Sequence, residues 1–227
     1  MADKLSSLNK KIITCRVCPR LVAWRENVAV TKTKRFAHWN YWGKPVPGFG
    51  DPTAQLLLVG LAPAAHGGNR TGRMFTGDES GNWLYRALHK AGFANQPESI
   101  SRDDGLKLTN CYITATCRCA PPKNKLLPQE IKNCRPFILQ EFTLLKNLHV
   151  IIGLGKIGFD TAFDCARKLG LTELTSRPKF SHGAIVNLNP SLTLIGSYHP
   201  SQQNTFTGTL TEPMFDEVFR KAKKILL

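Results

Sequence analysis

The stretch AQLLLVGLAPAAHGGNRTGRMFTGDESG, residues 54–81, decides the architecture of the chain. Its first ten residues form a short apolar run that ends in glycine and proline, as expected for a buried strand of a parallel sheet. A glycine-rich polar loop follows, and residues 80–93 then have the apolar spacing of a helix. The stretch therefore predicts a strand, a long polar loop and a helix in succession.

The same alternation continues along the chain. Further strands are predicted at residues 108–117, 150–155 and 192–200, and further helices at 1–25, 128–148, 158–170 and 212–227. Strands that alternate with helices indicate an α/β protein with a parallel sheet covered on both faces. Ligands of such sheets bind at the carboxyl ends of the strands.

The charge balance indicates a partner rich in phosphate. Lys and Arg number 31 against 16 Asp and Glu, which gives a net charge of +15, and the basic residues are spread along the chain. Such a surface favours nucleic acid, because Lys and Arg release the counterions condensed on polyphosphate. No apolar stretch is long enough to span a membrane, and no secretory signal is evident at the N-terminus. We expect a cytoplasmic protein with no membrane partner.

The motif GLGKIG at residues 153–158 fits the G-x-G-x-x-G pattern of dinucleotide-binding proteins. That function would need an acidic residue at the end of a second strand about 20 positions later. Glu173 has that spacing, but its surroundings do not resemble a strand end. We therefore expect these glycines to form a close turn between a strand and a helix.

Two polar loops at predicted strand ends carry the candidate chemistry. The first, residues 60–81, offers backbone N–H groups to phosphate but lacks the GK[ST] end of a nucleotide-triphosphate loop. Its candidate side chains are His66, Asn69, Arg70, Arg73, Phe75 and Asp78. The second loop follows His199, a candidate for hydrogen bonding or acid–base work, and carries Gln202, Gln203, Asn204, Thr205 and Thr207.

The chain has seven cysteines, and four of them suggest a metal centre. Cys15 and Cys18 form a CxxC motif, and Cys119 and Cys134 would complete a set of four thiolates. Such a set suits zinc or an iron–sulfur cluster, and the spacing does not choose between them. Buried thiols without metal are the alternative, and Cys111 and Cys165 are expected in the core.

Long stretches resemble the type b uracil-DNA glycosylases, the fifth family of that superfamily. GLAPAAHGGNRTGRMFTGD (60–78) and HPSQQNTFTGTLT (199–211) are similar to its two signature motifs. CRVCPRL (15–21), RCAPPKNK (118–125) and NCRPF (133–137) resemble its iron–sulfur cysteine segments. The resemblance implies a three-layer α/β/α sandwich around a four-stranded parallel sheet. It also implies one domain over residues 1–227, in which residues 1–50 form a cluster-bearing extension.

The resemblance further implies a [4Fe–4S] cluster on Cys15, Cys18, Cys119 and Cys134, and a monofunctional enzyme that hydrolyses the glycosidic bond of a base flipped out of DNA. The implied catalytic residues are Asp78, Asn124 and His199. The base pocket would contain Ala62, Gly67, Gly68, Asn69, Phe75 and Ala115. The implied DNA contacts are Arg70, Arg73, Ser201, Gln203, Asn204, Thr205 and Thr207.

Four residues depart from related patterns. Ala62 and Ala115 stand where most related glycosylases place polar residues, as is typical of type b, which implies a roomier pocket for uracil, hypoxanthine and xanthine. Met74 and Thr209 depart from the type b pattern itself, where Pro and Arg are common. The expected partner is double-stranded DNA with mismatched uracil, and the expected state is a monomer.

Two other functions fit parts of the sequence. A non-catalytic iron–sulfur protein that binds DNA or senses redox state would explain the charge and the cysteines, but not a carboxylate, an aromatic ring and a histidine at strand ends. A zinc-bound nucleotide hydrolase would need more carboxylates in the loops than the sequence contains.

Overall fold

A six-stranded mixed sheet forms the centre of the protein, in the order β1-β3-β2-β4-β6-β5. The structure is a computed structural model and describes residues 2–227. The strands are β1 (Phe49–Gly50), β2 (Leu56–Gly60), β3 (Cys111–Ala115), β4 (Val150–Leu154), β5 (Ile185–Asn189) and β6 (Leu192–Ser197). The four central strands run parallel, whereas β1 and β5 are antiparallel edges. The sheet therefore has six strands instead of the predicted four. The four predicted strands are the central parallel ones, β2, β3, β4 and β6.

Eight α-helices accompany the sheet in residues 2–227. They are α1 (Ala2–Ile13), α2 (Pro19–Thr31), α3 (Gly68–Thr71), α4 (Glu79–Ala91), α5 (Pro128–Leu144), α6 (Gly155–Lys168), α7 (Gln202–Phe206) and α8 (Glu212–Leu226), and 3-10 turns span Lys34–Phe36 and Pro122–Asn124. Within these described residues, no helix has the length and apolarity to cross a bilayer.

The single helix predicted over residues 1–25 is wrong. The chain leaves the helical conformation between α1 and α2, at the CxxC motif. Cys18 is extended, with φ −107° and ψ 95°. The ring of the following Pro19 sterically disfavours a helical conformation at the residue before it. Pro19 then starts α2, where its missing N–H is tolerated. The break places both cysteines in a loop.

Helices cover both faces of the sheet. On β2, Leu56 and Leu58 face a core shared with α4 and α8. Leu57 and Val59 point the opposite way, into a core shared with α1, α5 and α6. This alternation is the two-residue period of a strand buried on both sides. The N-terminal 50 residues contribute β1 to the sheet and α1 to one layer, so they do not lie wholly outside the sheet.

The GLGKIG motif is a close turn between β4 and α6, as predicted. Gly155 has a φ of +78°, which favours glycine. A Cβ atom on Gly153 would overlap the backbone of Phe159, and one on Gly158 would overlap the carbonyl oxygen of Val59. These glycines let α6 pack directly on the sheet.

The substitution Gly158→Ala tests this close approach. Alanine is the better helix former by about 1 kcal/mol, so propensity alone would stabilise the variant. We expect a net loss of about 1–3 kcal/mol in the free energy of unfolding, because the added methyl group has no room beside Val59. Urea unfolding measures the change. Lys156→Ala, on an exposed position of the same helix, should change it by less than about 0.5 kcal/mol. A stabilised Gly158→Ala would contradict the packing.

Candidate active site

A cleft lies where β2, β4 and β6 end, and it has two adjoining lobes. One lobe has a volume of about 660 Å³ and includes Ala62, Leu154 and His199. The other, of about 530 Å³, includes Gly67 and Arg70. Both lobes share Ala64, Asp78, Glu79, Asn124 and Gln202. The cleft therefore occupies the position at which parallel sheets bind ligands.

Asp78 lies at the junction of the two lobes, at the amino end of α4. Its carboxylate caps the helix by accepting a hydrogen bond from the backbone N–H of Gly81 at 3.0 Å. Burial raises the pKa of the carboxyl to about 6, and the Gly81 N–H and the charge of Arg70 oppose this shift. A Cβ atom on Gly67 would overlap the Asp78 carboxylate, so glycine is needed there.

His199 lines the larger lobe, and the largely buried ring of Phe75 packs against it. Their ring centroids lie 5.8 Å apart with an interplanar angle of 31°. Burial lowers the pKa of the His199 imidazole to about 4, so the ring is neutral at pH 7. The Asn204 side chain donates to the His199 carbonyl at 2.9 Å and holds the backbone in place. Phe75 has a φ of +52°, an uncommon conformation for a side chain of this size.

Arg70 is a structural clamp at the rim of this site. It is 3% exposed, and its guanidinium lies 3.9 Å from the ring centroid of Phe36 and 4.1 Å from that of Trp39. Its Nε donates to the carbonyl of His66 at 2.7 Å, and its Nη2 to that of Gly77 at 2.8 Å. The structure therefore does not present Arg70 to a DNA phosphate. Instead, Arg70 fixes the residue that precedes Asp78.

Arg73 and Asn69 are also turned away from the cleft. Arg73 is buried and holds both carboxylate oxygens of Asp104, at 2.8 and 2.7 Å. Asn69 is buried, and its side-chain amide donates to the carbonyl of Arg25 at 3.2 Å. In this structure, Asp104 therefore holds the guanidinium of Arg73, and the carbonyl of Arg25 holds the amide of Asn69. The DNA contact of Arg73 and the base contact of Asn69 stay predictions.

Ala62 and Ala115, both predicted to line the base pocket, lie in different environments. Ala62 lines the larger lobe, as predicted for a base pocket. Ala115 is buried in the apolar core that also contains Phe75, and it does not line either lobe. Gly68 is likewise buried, at the start of α3. Asn124 is exposed, adopts a φ of +55° and lines both lobes beside Asp78.

The second signature stretch forms the short helix α7 and its flanks. Ser201 caps this helix by accepting from the N–H of Asn204 at 3.4 Å. The hydroxyls of Thr205 and Thr207 donate to helix carbonyls, and Gln203 lines the cleft. Phe206 is 76% exposed, which the sequence analysis did not predict. The one sequence feature that predicts exposure of Phe206 is its position between two polar residues, Thr205 and Thr207.

The four predicted metal ligands line one small pocket between α2, α5 and the loop after β3. They are Cys15, Cys18, Cys119 and Cys134. Across residues 2–227, no group of three or more His, Cys, Asp or Glu is arranged to hold a single metal ion. Cys111 and Cys165 are buried in the core, as predicted. The bidentate pair of Arg20 with Glu130 ties α2 to α5 beside this pocket.

Comparison with known proteins identifies the family. The profile described as "Uracil DNA glycosylase superfamily" matches residues 47–223. This chain belongs to that superfamily. It is 50% identical to the type-5 uracil-DNA glycosylase of Mycobacterium leprae, over 99% of this chain and 96% of the relative. It is 49% identical to the type-5 enzyme of Thermus thermophilus, over 94% of each chain. A type-4 uracil-DNA glycosylase of Archaeoglobus fulgidus is 26% identical over 88% of this chain and 82% of its own.

In this superfamily member, the charge of Arg70 should set the ionisation of Asp78. We expect the Asp78 carboxyl to titrate near pH 6 by carbon-13 NMR of labelled protein. Arg70→Met should move that midpoint to higher pH, because the variant loses a cation that favours the carboxylate. Arg35→Met removes an exposed cation from the lining of the same lobe and serves as the control. An unchanged midpoint in Arg70→Met would show that the two groups do not interact.

Proposed function

We propose that this chain removes uracil from DNA by hydrolysing the N-glycosidic bond, leaving an abasic site. The observation that carries the proposal is that Asp78 and His199 line one cleft, with the ring of Phe75 packed against that of His199, in a chain with a net charge of +15. The names of the type-5 relatives support the same reaction. Uracil must leave the duplex to enter such a cleft, because the glycosidic bond is inaccessible in the base stack.

The cleft supplies three functions for this reaction. Phe75 offers a ring face on which the flipped base stacks. His199, neutral at pH 7, donates a hydrogen bond to the base as the glycosidic electron pair leaves with it. Asp78, ionised above about pH 6, stabilises the positive sugar and orients the water whose oxygen bonds to C1′. The water's proton passes to the Asp78 carboxylate. Asn124, across the shared part of the cleft, helps to hold that water.

The range of bases follows from the size of the pocket. Ala62 leaves space without a polar group that would select uracil alone, in a lobe of about 660 Å³. We propose that hypoxanthine and xanthine also enter. Ala115 adds nothing to this space, because it is 1% exposed and lines neither lobe. The proposed relaxed specificity is therefore assigned to Ala62 rather than to Ala115.

The α7 loop is the proposed DNA-reading element. Ser201 and Gln203 line the cleft, and Asn204, Thr205 and Thr207 continue the polar edge along α7 and its end. Phe206 projects from that edge as an apolar wedge suited to the gap that a flipped base leaves. The proposed substrate is a duplex in which uracil opposes guanine, because a mismatch costs less to open. We further propose that the enzyme acts as a monomer in the cytoplasm.

The cysteine pocket fits a [4Fe–4S] cluster, which we propose as the cofactor. Cys15, Cys18, Cys119 and Cys134 line this one pocket, and four thiolates are the ligand set that such a cluster takes. Cys15 and Cys18 would then join the loop between α1 and α2 to Cys119 and Cys134 of the body. When bound, the cluster supplies structural cross-linking, and no step of base release passes through it.

The decisive experiment uses a labelled duplex with one central G·U pair. Purified protein is incubated with the duplex, and hot alkali then cleaves any abasic site. We expect strand breakage at the uracil only after alkali, since single-step hydrolysis needs no Schiff-base lysine and Lys156, which lines the larger lobe, is paired with Asp160. Absence of breakage by iron-loaded protein would overturn the proposal and favour a non-catalytic iron–sulfur DNA-binding protein.

Asp78→Asn should lower the rate of uracil release by about 10²–10⁴-fold without weakening duplex binding. The amide keeps the size of the side chain but cannot carry the negative charge. In the wild type, kcat/KM should rise as the pH increases through about 6 and then level off, as Asp78 ionises. Single-turnover rates and fluorescence anisotropy measure the two properties. Normal turnover by Asp78→Asn would remove this residue from the mechanism.

Phe206→Ala should lower kcat/KM by about tenfold, with a larger loss on A·U than on G·U duplexes, because the wedge offsets the cost of opening the pair. Val30→Ala truncates another exposed apolar residue, on α2, and should have no effect. Equal losses on both duplexes would indicate that Phe206 contributes only general contact with DNA.

A further inference from the structure

Two buried arginines stand beside the four cysteines with no family role assigned to them above. Arg25 is 2% exposed and Arg118 is 1% exposed, and both line the cysteine pocket. A guanidinium cannot lose its charge in a protein, so each brings a permanent cation into the interior. Buried charges are expected to be paired or otherwise compensated.

Arg25 is only partly compensated by the protein. Its Nη1 donates to the sulfur of Cys119 at 2.8 Å and to the carbonyl of Cys15 at 3.3 Å. The nearest carboxylate is that of Glu26, on the surface, with an Nη2–Oε1 distance of 3.7 Å. The Nε of Arg25 is buried and has no hydrogen-bond partner.

Arg118 shows the same deficit more strongly. Its Nη2 is paired with the fully buried carboxylate of Glu141, which also accepts from Thr114 at 2.5 Å. Both Nε and Nη1 of Arg118 are buried without a partner. Arg118 lines the same pocket as Cys134 and directly precedes Cys119 in the chain. The two core-side cysteines of the pocket therefore each have an arginine beside them.

Three unpartnered N–H groups around one pocket require an acceptor. A buried donor without a partner costs about 1–3 kcal/mol, and more when the donor is charged. Four neutral thiols are weak acceptors and carry no charge to offset the cation of Arg25, whereas Arg118 already has Glu141. A group that is anionic and presents several acceptor atoms would satisfy both needs.

We propose that Arg25 and Arg118 donate N–H···S hydrogen bonds to the sulfurs of the bound iron–sulfur cluster and compensate its negative charge. This inference rests on the cluster proposed above. The arginines are positioning and charge-balancing residues, which contact the cofactor and take no part in base release. Such outer partners hold the ligands in place and stabilise the more negative, reduced form of the cluster.

The test compares anaerobically purified wild type with Arg25→Gln and with the double variant Arg118→Met/Glu141→Gln. The double variant avoids leaving Glu141 charged and unpaired in the core. Iron and acid-labile sulfide are measured first, then the rate of cluster loss to a chelator, then the midpoint potential by dithionite titration. We expect cluster loss to be faster by a factor on the order of ten in each variant. We also expect the midpoint potential to fall, since a cation that favours the reduced cluster is gone.

Two controls separate this role from loss of stability. Arg16→Gln changes an arginine next to Cys15 whose side chain is 63% exposed, and it should leave both properties unchanged. Gly158→Ala, destabilised at a distance from the pocket, should leave the potential unchanged. Arg25→Lys keeps a cation, so it should restore part of the potential but not the wild-type resistance to chelator.

Each outcome has one meaning. Wild-type potential and chelator resistance in Arg25→Gln and in the double variant would overturn the arginine proposal while leaving the cluster in place. Wild-type protein that contains zinc, or no metal, would overturn the cluster proposal and this inference with it. The G·U assay would still decide the glycosylase function independently.

Discussion

The whole site depends on where one carboxylate is held. Asp78 caps α4, and its carboxylate occupies space that only a glycine at position 67 leaves open. The contact between Asp78 and Gly67 therefore fixes the glycine-rich loop, which follows β2, against the amino end of α4. Asp78 also lines both lobes of the cleft. The position of this carboxylate therefore matters both to the fold and to the proposed chemistry.

Arg70 and Asn69, which lie outside the sheet, hold the glycine-rich loop next to Asp78 in place. Arg70 is held between the rings of Phe36 and Trp39 and binds the carbonyl before Asp78. Asn69 binds the carbonyl of Arg25, which in turn faces Cys119. The cysteine pocket and the glycine-rich loop are thus connected through two consecutive loop residues. A cluster on Cys119 would therefore be linked to the glycine-rich loop through Arg25 and Asn69.

The central strands and long helices were predictable because their apolar patterns are strong. The edge strands were not. β1 has only two residues, and β5 alternates between exposed and half-buried positions with one buried side chain, so neither forms an apolar run. The break between α1 and α2 was overlooked although Pro19 marks it, because the flanking helical pattern continues on both sides.

The sequence alone determined the four parallel strands and the residues at their carboxyl ends, because these follow from local apolar patterns and from long motifs. It also determined the glycines of the close turn between β4 and α6. Only the tertiary structure decided what each charged or polar side chain does. Arg73 is bound by Asp104, which is 31 residues away, and Arg118 by Glu141, from another element. An arginine in a sequence can equally meet phosphate, a carboxylate or a sulfur, because its charge is fixed and its partner is chosen by whatever the fold brings within hydrogen-bonding distance.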